Sequence, residues 1–182
     1  MTHFLRKLFG TTPRPIRVNQ LLEKATAAAG RHRHDIALDA VDKAIALAVE
    51  EYGADHFLVN VFLQNARAEN LYWLKRYSEA RIAADRSLAR CPDDITMLQL
   101  RAQILVNLKD SDGVVGDYTR LGALEPDNPK HLLMLAAAHM MQNNARAARS
   151  ALEAAGNHPK ATASTREEVT HLENMLRDSG GD

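Results

Sequence analysis

Apolar residues along this chain recur at helical spacing, three and four positions apart, with polar residues between them. Ala80, Ala84, Ser87 and Leu88 fall on one face of a helical wheel. Val114, Tyr118 and Leu121 do the same further on, and Ala147, Ala151 and Ala154 beyond them. Ala37, Val41, Ala44 and Ile45 mark a similar face within 33–51, after a first helical stretch over 17–30. Val and Ile never gather into the alternating runs that mark strands. The pattern predicts about eight or nine helices and no sheet.

The breaks between these stretches are periodic. Cys91-Pro92-Asp93-Asp94 returns as Glu125-Pro126-Asp127-Asn128 at an offset of 34 residues, and Asn157-His158-Pro159-Lys160 follows after 33. Each proline comes just after an apolar-periodic run, where it cannot continue the helix. Asp94 and Asn128 can then cap the helix that follows. A second class of turn lies midway, at Lys75-Arg76-Tyr77-Ser78, Lys109-Asp110-Ser111-Asp112 and Gln142-Asn143-Asn144, with Ser78 and Asp112 as expected caps. Each unit therefore reads as helix, short turn, helix, proline-marked turn. Such a hairpin cannot bury its apolar face alone and must stack on its neighbours.

On these residues the chain resembles the tetratricopeptide repeat (TPR) family, with three divergent repeats over 61–160. The matching positions are Ala68, Tyr77, Ala80 and Pro92, with Leu71 where the family often has Tyr. They continue as Ala102, Tyr118 and Pro126, with Val114 in place of Ala, and then as Ala136, Ala147, Ala154 and Pro159. A degenerate repeat at 17–52 precedes them, and Gly53 ends its longer second helix. The resemblance implies an all-α fold, a right-handed superhelix of stacked antiparallel helix hairpins (a TPR-like solenoid). A C-terminal capping helix is expected from the capping-box pattern Ser164-Thr165-Arg166-Glu167, with Val169, Leu172 and Leu176 on its inner side. The domain reading is 1–16 as an N-terminal amphipathic, basic segment with a proline spacer, 17–178 as one helical-repeat domain, and 179–182 as a frayed tail.

The resemblance also implies a partner-binding groove lined by the first helices of successive repeats. By matching positions its lining is Phe62, Asn65, Glu69 and Tyr72, then Thr96, Gln99, Gln103 and Val106, then Lys130, Leu133, Ala137 and Met140. The family's basic clamp for the C-terminal carboxylate of heat-shock chaperones is not reproduced: only Lys130 fits, and Leu100 and Met134 stand where polar groups are required. A non-enzymatic interaction scaffold or adaptor is the leading reading, and a dedicated chaperone for a secreted or assembly client is the alternative.

Charge adds one feature. The formal net charge is zero, yet residues 1–34 hold seven Lys/Arg against the single acid Glu23. Phe4, Leu5, Leu8 and Phe9 share one side of a helical wheel, with Arg6 and Lys7 elsewhere, and Thr11-Thr12-Pro13-Arg14-Pro15 forms a stiff spacer. This segment can dock on the protein's own groove, on a partner, or weakly on an anionic membrane, and self-association is open. With one cysteine, no secretory signal and no long apolar run, a cytoplasmic location is expected.

Catalytic constellations are missing. The chain has no Gly-rich phosphate loop, H-E-x-x-H, G-x-S-x-G or paired C-x-x-C. His32 and His34 form an H-x-H pair, but Arg31 and Arg33 flank it and oppose a cation. His131 and His139 stand two helical turns apart, about 12 Å, too far for one metal. Cys91 at a helix C-terminus has a raised thiol pKa and is a poor nucleophile. No enzyme activity, cofactor or metal is expected. Basic residues cluster only near the N-terminus without interleaved aromatics, so nucleic acid is not an expected partner.

Overall fold

The computed structural model describes residues 16–178. The expected docking residues Phe4, Leu5, Arg6, Lys7, Leu8 and Phe9, and the expected frayed tail at 179–182, lie outside the described residues. Nine α-helices, and no strand, occur among the described residues: α1 (Ile16–Ala29), α2 (His34–Tyr52), α3 (Leu63–Trp73), α4 (Tyr77–Leu88), α5 (Ile95–Leu108), α6 (Ser111–Leu124), α7 (Lys130–Met141), α8 (Ala145–Gly156) and α9 (Ala163–Asp178). Each packs on the next, so four hairpins stack and α9 closes the end.

The hairpin turns close in one way throughout. His32, Lys75, Lys109 and Asn143 are all left-handed, with φ between 54° and 60°. In each turn that residue donates its N–H to the carbonyl three positions back, and the next residue donates to the carbonyl five back. Lys75 to Tyr72 and Arg76 to Leu71 are one such pair, both at 2.9 Å, and Lys109 to Val106 with Asp110 to Leu105 are another, at 3.1 and 3.0 Å. This double closure satisfies carbonyls that the helix end would leave unpaired. The left-handed residues at 75, 109 and 143 are 34 apart, so the proline periodicity has a hydrogen-bonded counterpart.

The first unit is longer: His32 and Lys75 are 43 residues apart. The excess lies in α2, which runs 19 residues against 12, 14 and 12 for α4, α6 and α8. It also lies in the Gly53 turn, where φ is 87°, and in a π-helical stretch, Leu58–Phe62, that leads into α3. The wide π turn faces Phe57 and Phe62 edge-to-face with centroids 5.6 Å apart. Helical spacing alone does not announce that stretch.

Capping differs in detail from the sequence expectation. Asp94 accepts from the Met97 N–H as expected, and Asn128 accepts from Lys130 N–H. In the α6 turn the cap is Asp110, accepting from Gly113 N–H, while Asp112 sits inside the helix; Ser78 lies inside α4 and caps nothing. The reciprocal box before α9 joins Thr162 and Thr165 rather than starting at Ser164. α8 is also turned by one position: Ala148, Ala151, Leu152 and Ala155 are buried, whereas Ala154 is exposed and Ala147 half-buried. Leu152 is the bulkiest apolar side chain of that helix, and seating it in the core sets the rotation.

Alanines carry much of the interhelical contact. Ala37, Ala40, Ala44, Ala68, Ala80, Ala83 and Ala84 are fully buried, and small side chains there let helix backbones approach closely. The core is a chain of linked clusters. Val18, Ala44, Leu58 and Leu63 form one near the start, and Leu71, Leu98, Ile104 and Leu121 belong to a central one. Leu133, Leu152, Ala155 and Val169 belong to one beneath α9.

Candidate partner-binding face

α3 also touches α5, and α7 touches α9, while successive second helices make no comparable contact among the described residues. These two contacts put α3 with α5, and α7 with α9, on the inner side of the stack. Helical spacing decides which side chains the inner side presents.

On α3, Glu69 is exposed and Asn65 and Tyr72 are half-buried, as is Phe62 at the end of the π-helical stretch before it. On α5, Thr96, Gln103 and Val106 are exposed and Gln99 is half-buried; on α7, Lys130 is exposed while Ala137 and Met140 are half-buried. Leu133 is a correction. It is fully buried among Ala136, Leu152 and Val169, because α7 must supply a large apolar side chain to the cluster under α9. Met134, one position on, takes the exposed place, as does Met141 near the helix end.

Trp73, at 57% exposure, is the largest apolar surface that motif positions did not suggest. It is the only tryptophan and immediately precedes a Leu-Lys-Arg turn, a placement that could have drawn notice. Trp73, Val106, Met134 and Met141 give the first helices exposed apolar anchors, with Glu69, Gln103 and Lys130 among them.

Polar cross-links hold this face in shape. Asn65 Nδ2 donates to Asp94 Oδ2 at 3.2 Å, tying α3 to the cap of α5, and its Oδ1 is buried without a donor in the structure. Arg101 spans three helices: Nε donates to Asp117 Oδ2 at 3.0 Å and Nη1 to Asp85 Oδ1 at 2.8 Å. Asp117 is almost fully buried, and its hydrogen bonds, with Asp85 adding to them, hold the Arg101 guanidinium still further above its ordinary pKa. The pairs Arg90–Asp55 and Lys160–Asp127 link consecutive inter-repeat loops, and Arg120 of α6 reaches Asp93 in the loop before α5.

Other candidate chemistry is accounted for by local partners. His131 is buried beside a cavity of about 250 Å³, with Nε2 2.7 Å from Glu125 Oε2. The hydrogen bond from His131, helped by Asn128, keeps the Glu125 carboxyl below its usual range. His139 pairs with Gln142 at 3.0 Å and His34 with Asn70 at 3.0 Å. Burial, and then the charge of Asp94, pushes the Cys91 thiol up. Among the described residues no three His, Cys, Asp or Glu side chains gather where a metal could sit, and no helix is long and apolar enough to cross a membrane.

No family model matches the sequence, and no curated protein matches it significantly. Solved structures do resemble it in shape. A tetratricopeptide repeat protein from Parabacteroides merdae superimposes with a TM-score of 0.75 at 17% identity over 92% of this chain, which spans 63% of that protein's length. MamA from Desulfovibrio magneticus RS-1 gives 0.72 at 14% identity, covering 93% of this chain and 89% of that one. The first TPR domain of Spaghetti (RPAP3), bound to the HSP90 peptide SRMEEVD, gives 0.57 at 21% identity over 70% of this chain and 96% of that one. With the repeated turn closures and the stacked hairpins, these likenesses show the fold: the chain is an all-helical superhelix of the tetratricopeptide-repeat type.

Proposed function

We propose that this chain is a non-enzymatic, cytoplasmic interaction scaffold or adaptor that holds a segment of a partner protein along the inner side of its first helices. The observation that carries this reading is the run of exposed apolar side chains there, Trp73, Val106, Met134 and Met141, with amides and charges between them. Apolar anchors with adjacent hydrogen-bonding groups suit an extended or helical peptide. The likeness in fold to a repeat domain solved with a bound peptide supports the same use of the inner face. The expected lining is the exposed and half-buried set above, without Leu133 and with Trp73, Met134 and Met141 added.

In this reading Phe4, Leu5, Leu8 and Phe9, with Arg6 and Lys7, supply a second contact to the partner or to an anionic membrane. The test is affinity capture from the native host with three proteins: the full chain, a Val106→Asp/Met134→Asp variant and a chain lacking Met1–Pro15. The reading expects one partner at fixed stoichiometry, lost with the double variant at unchanged helicity and melting temperature, and weakened by the deletion. Retention of that partner by the double variant would sink it.

A further inference from the structure

The turns joining α1 to α2 and α3 to α4 are brought together by two rings. Trp73 stacks on His34 with centroids 5.6 Å apart and planes 16° from parallel. Asn70, 4% exposed, holds His34 in place: its Nδ2 donates to Ala66 O at 2.7 Å, so its Oδ1 faces His34 Nδ1 at 3.0 Å. That oxygen can only accept, so the His34 proton sits on Nδ1 and Nε2 has no hydrogen-bond partner among the described residues. Tyr72 meets Trp73 edge-on at 5.6 Å and Tyr77 adjoins Tyr72 at 5.9 Å. The indole is thus supported on one face and one edge, yet more than half of it remains open.

Positive charge surrounds this platform. Arg31 and Arg33 lie in the first turn, Lys75 and Arg76 in the second. Arg76 is bound at both ends by Glu79, and Arg33 lies 3.8 Å from Asp35. Arg31 and Lys75 have no ion pair among the described residues. Lys75 is the left-handed residue of its turn, so the double closure fixes where its side chain leaves the backbone.

We propose that this aromatic and basic edge is a docking site for an acidic protein segment bearing an aromatic side chain. The aromatic ring lies on the open face of Trp73, and flanking carboxylates meet Arg31 and Lys75. A fixed ring platform costs a ligand little reorganisation, and the exposed Arg31 and Lys75 beside it favour negative charge. Residues 1–15 do not suit the site, because they carry Arg6, Lys7 and Arg14 and no acid. A nucleic-acid strand needs a longer basic track. Along this edge the next turn offers Lys109 with Asp110 and Asp112 beside it, and the last offers Asn143 and Asn144. The cations are confined to two turns, which fits a short segment. The site shares Trp73 with the inner-face reading but uses none of Gln103, Val106 and Met134, so variants at those positions test the two separately.

Trp73 is the only tryptophan, so its emission in the full chain reports directly on the platform. The probes are a blocked Glu-Glu-Phe-Glu-Glu peptide, its Lys-Lys-Phe-Lys-Lys counterpart, an oligo-dT strand and phosphatidylserine vesicles. The acidic peptide is expected to change the emission saturably, and Arg31→Glu/Lys75→Glu to weaken it about tenfold or more at unchanged melting temperature. Val106→Asp/Met134→Asp is expected to leave the response intact. No response to the acidic peptide, or a response indifferent to Arg31→Glu/Lys75→Glu, overturns the proposal. A response to oligo-dT or vesicles in place of the peptide overturns the class of ligand.

Discussion

Three of the four left-handed turn residues are His32, Lys75 and Lys109, side chains with a steric penalty in that region. Asn143, and to a lesser degree His32, are of types that visit it more readily than lysine. Glycine would relieve the penalty, although it also gives the unfolded chain more freedom. Lys109→Gly is therefore expected to stabilise the protein by ~0.5–1 kcal/mol, read as a higher urea midpoint at unchanged slope. Lys109 makes no ion pair among the described residues, so nothing else is lost. Its sequence neighbourhood signals a turn, but not the left-handed residue, because glycine, the usual marker, is absent. For the same reason the caps were legible only in part: Asp94 follows a proline signal, whereas Asp110 and Asp112 offer the same chemistry two positions apart. Only the hydrogen bond to Gly113 decides between them.

At the scale of helices, the small residues at Ala68, Ala80 and Ala136 and the proline breaks made the pairing of hairpins legible. The rotation of each helix was less so. In an alanine-rich helix such as α8 one face looks much like the next, and Leu152 alone settles the matter. The same ambiguity put Leu133 in the groove, since a one-position shift along α7 exchanges it with Met134. Trp73 and Arg101 escaped notice because their roles depend on residues of other helices: His34 on α2 for the first, Asp85 on α4 and Asp117 on α6 for the second. Arg101 also supplies a sharp test. Removing it leaves Asp117 buried without its counter-charge, so Arg101→Met should destabilise by ~3–5 kcal/mol, whereas adding Asp117→Leu should recover most of that loss. Thermal melts of the single and double variants check it; equal loss in both would mean that the ion pair itself, not the stranded charge, sets the cost.

The whole molecule is a line of neighbours, with α9 as its last member. Val169 and Leu172 of that helix cover Leu133, Leu152 and Ala155. Ending the chain before Ala163 should therefore unzip α7 and α8 first, and hydrogen exchange should show their amides losing protection while those of α3 to α6 keep theirs. Uniform loss of protection would mean a single cooperative unit. The spacing of the hairpin turns has a consequence for how such a chain can change length. Between 75 and 143 every closure bond is set to the same 34-residue interval, so adding a single residue inside a hairpin would slide each later apolar face about a quarter-turn off its partner. Only whole units can be spliced in or out there without loss of phase. The first unit, with its nine surplus residues, took them up in a lengthened α2, a glycine bend and a π turn, all ahead of α3, which makes the exposed bend at residues 53–55 the natural graft point for foreign sequence.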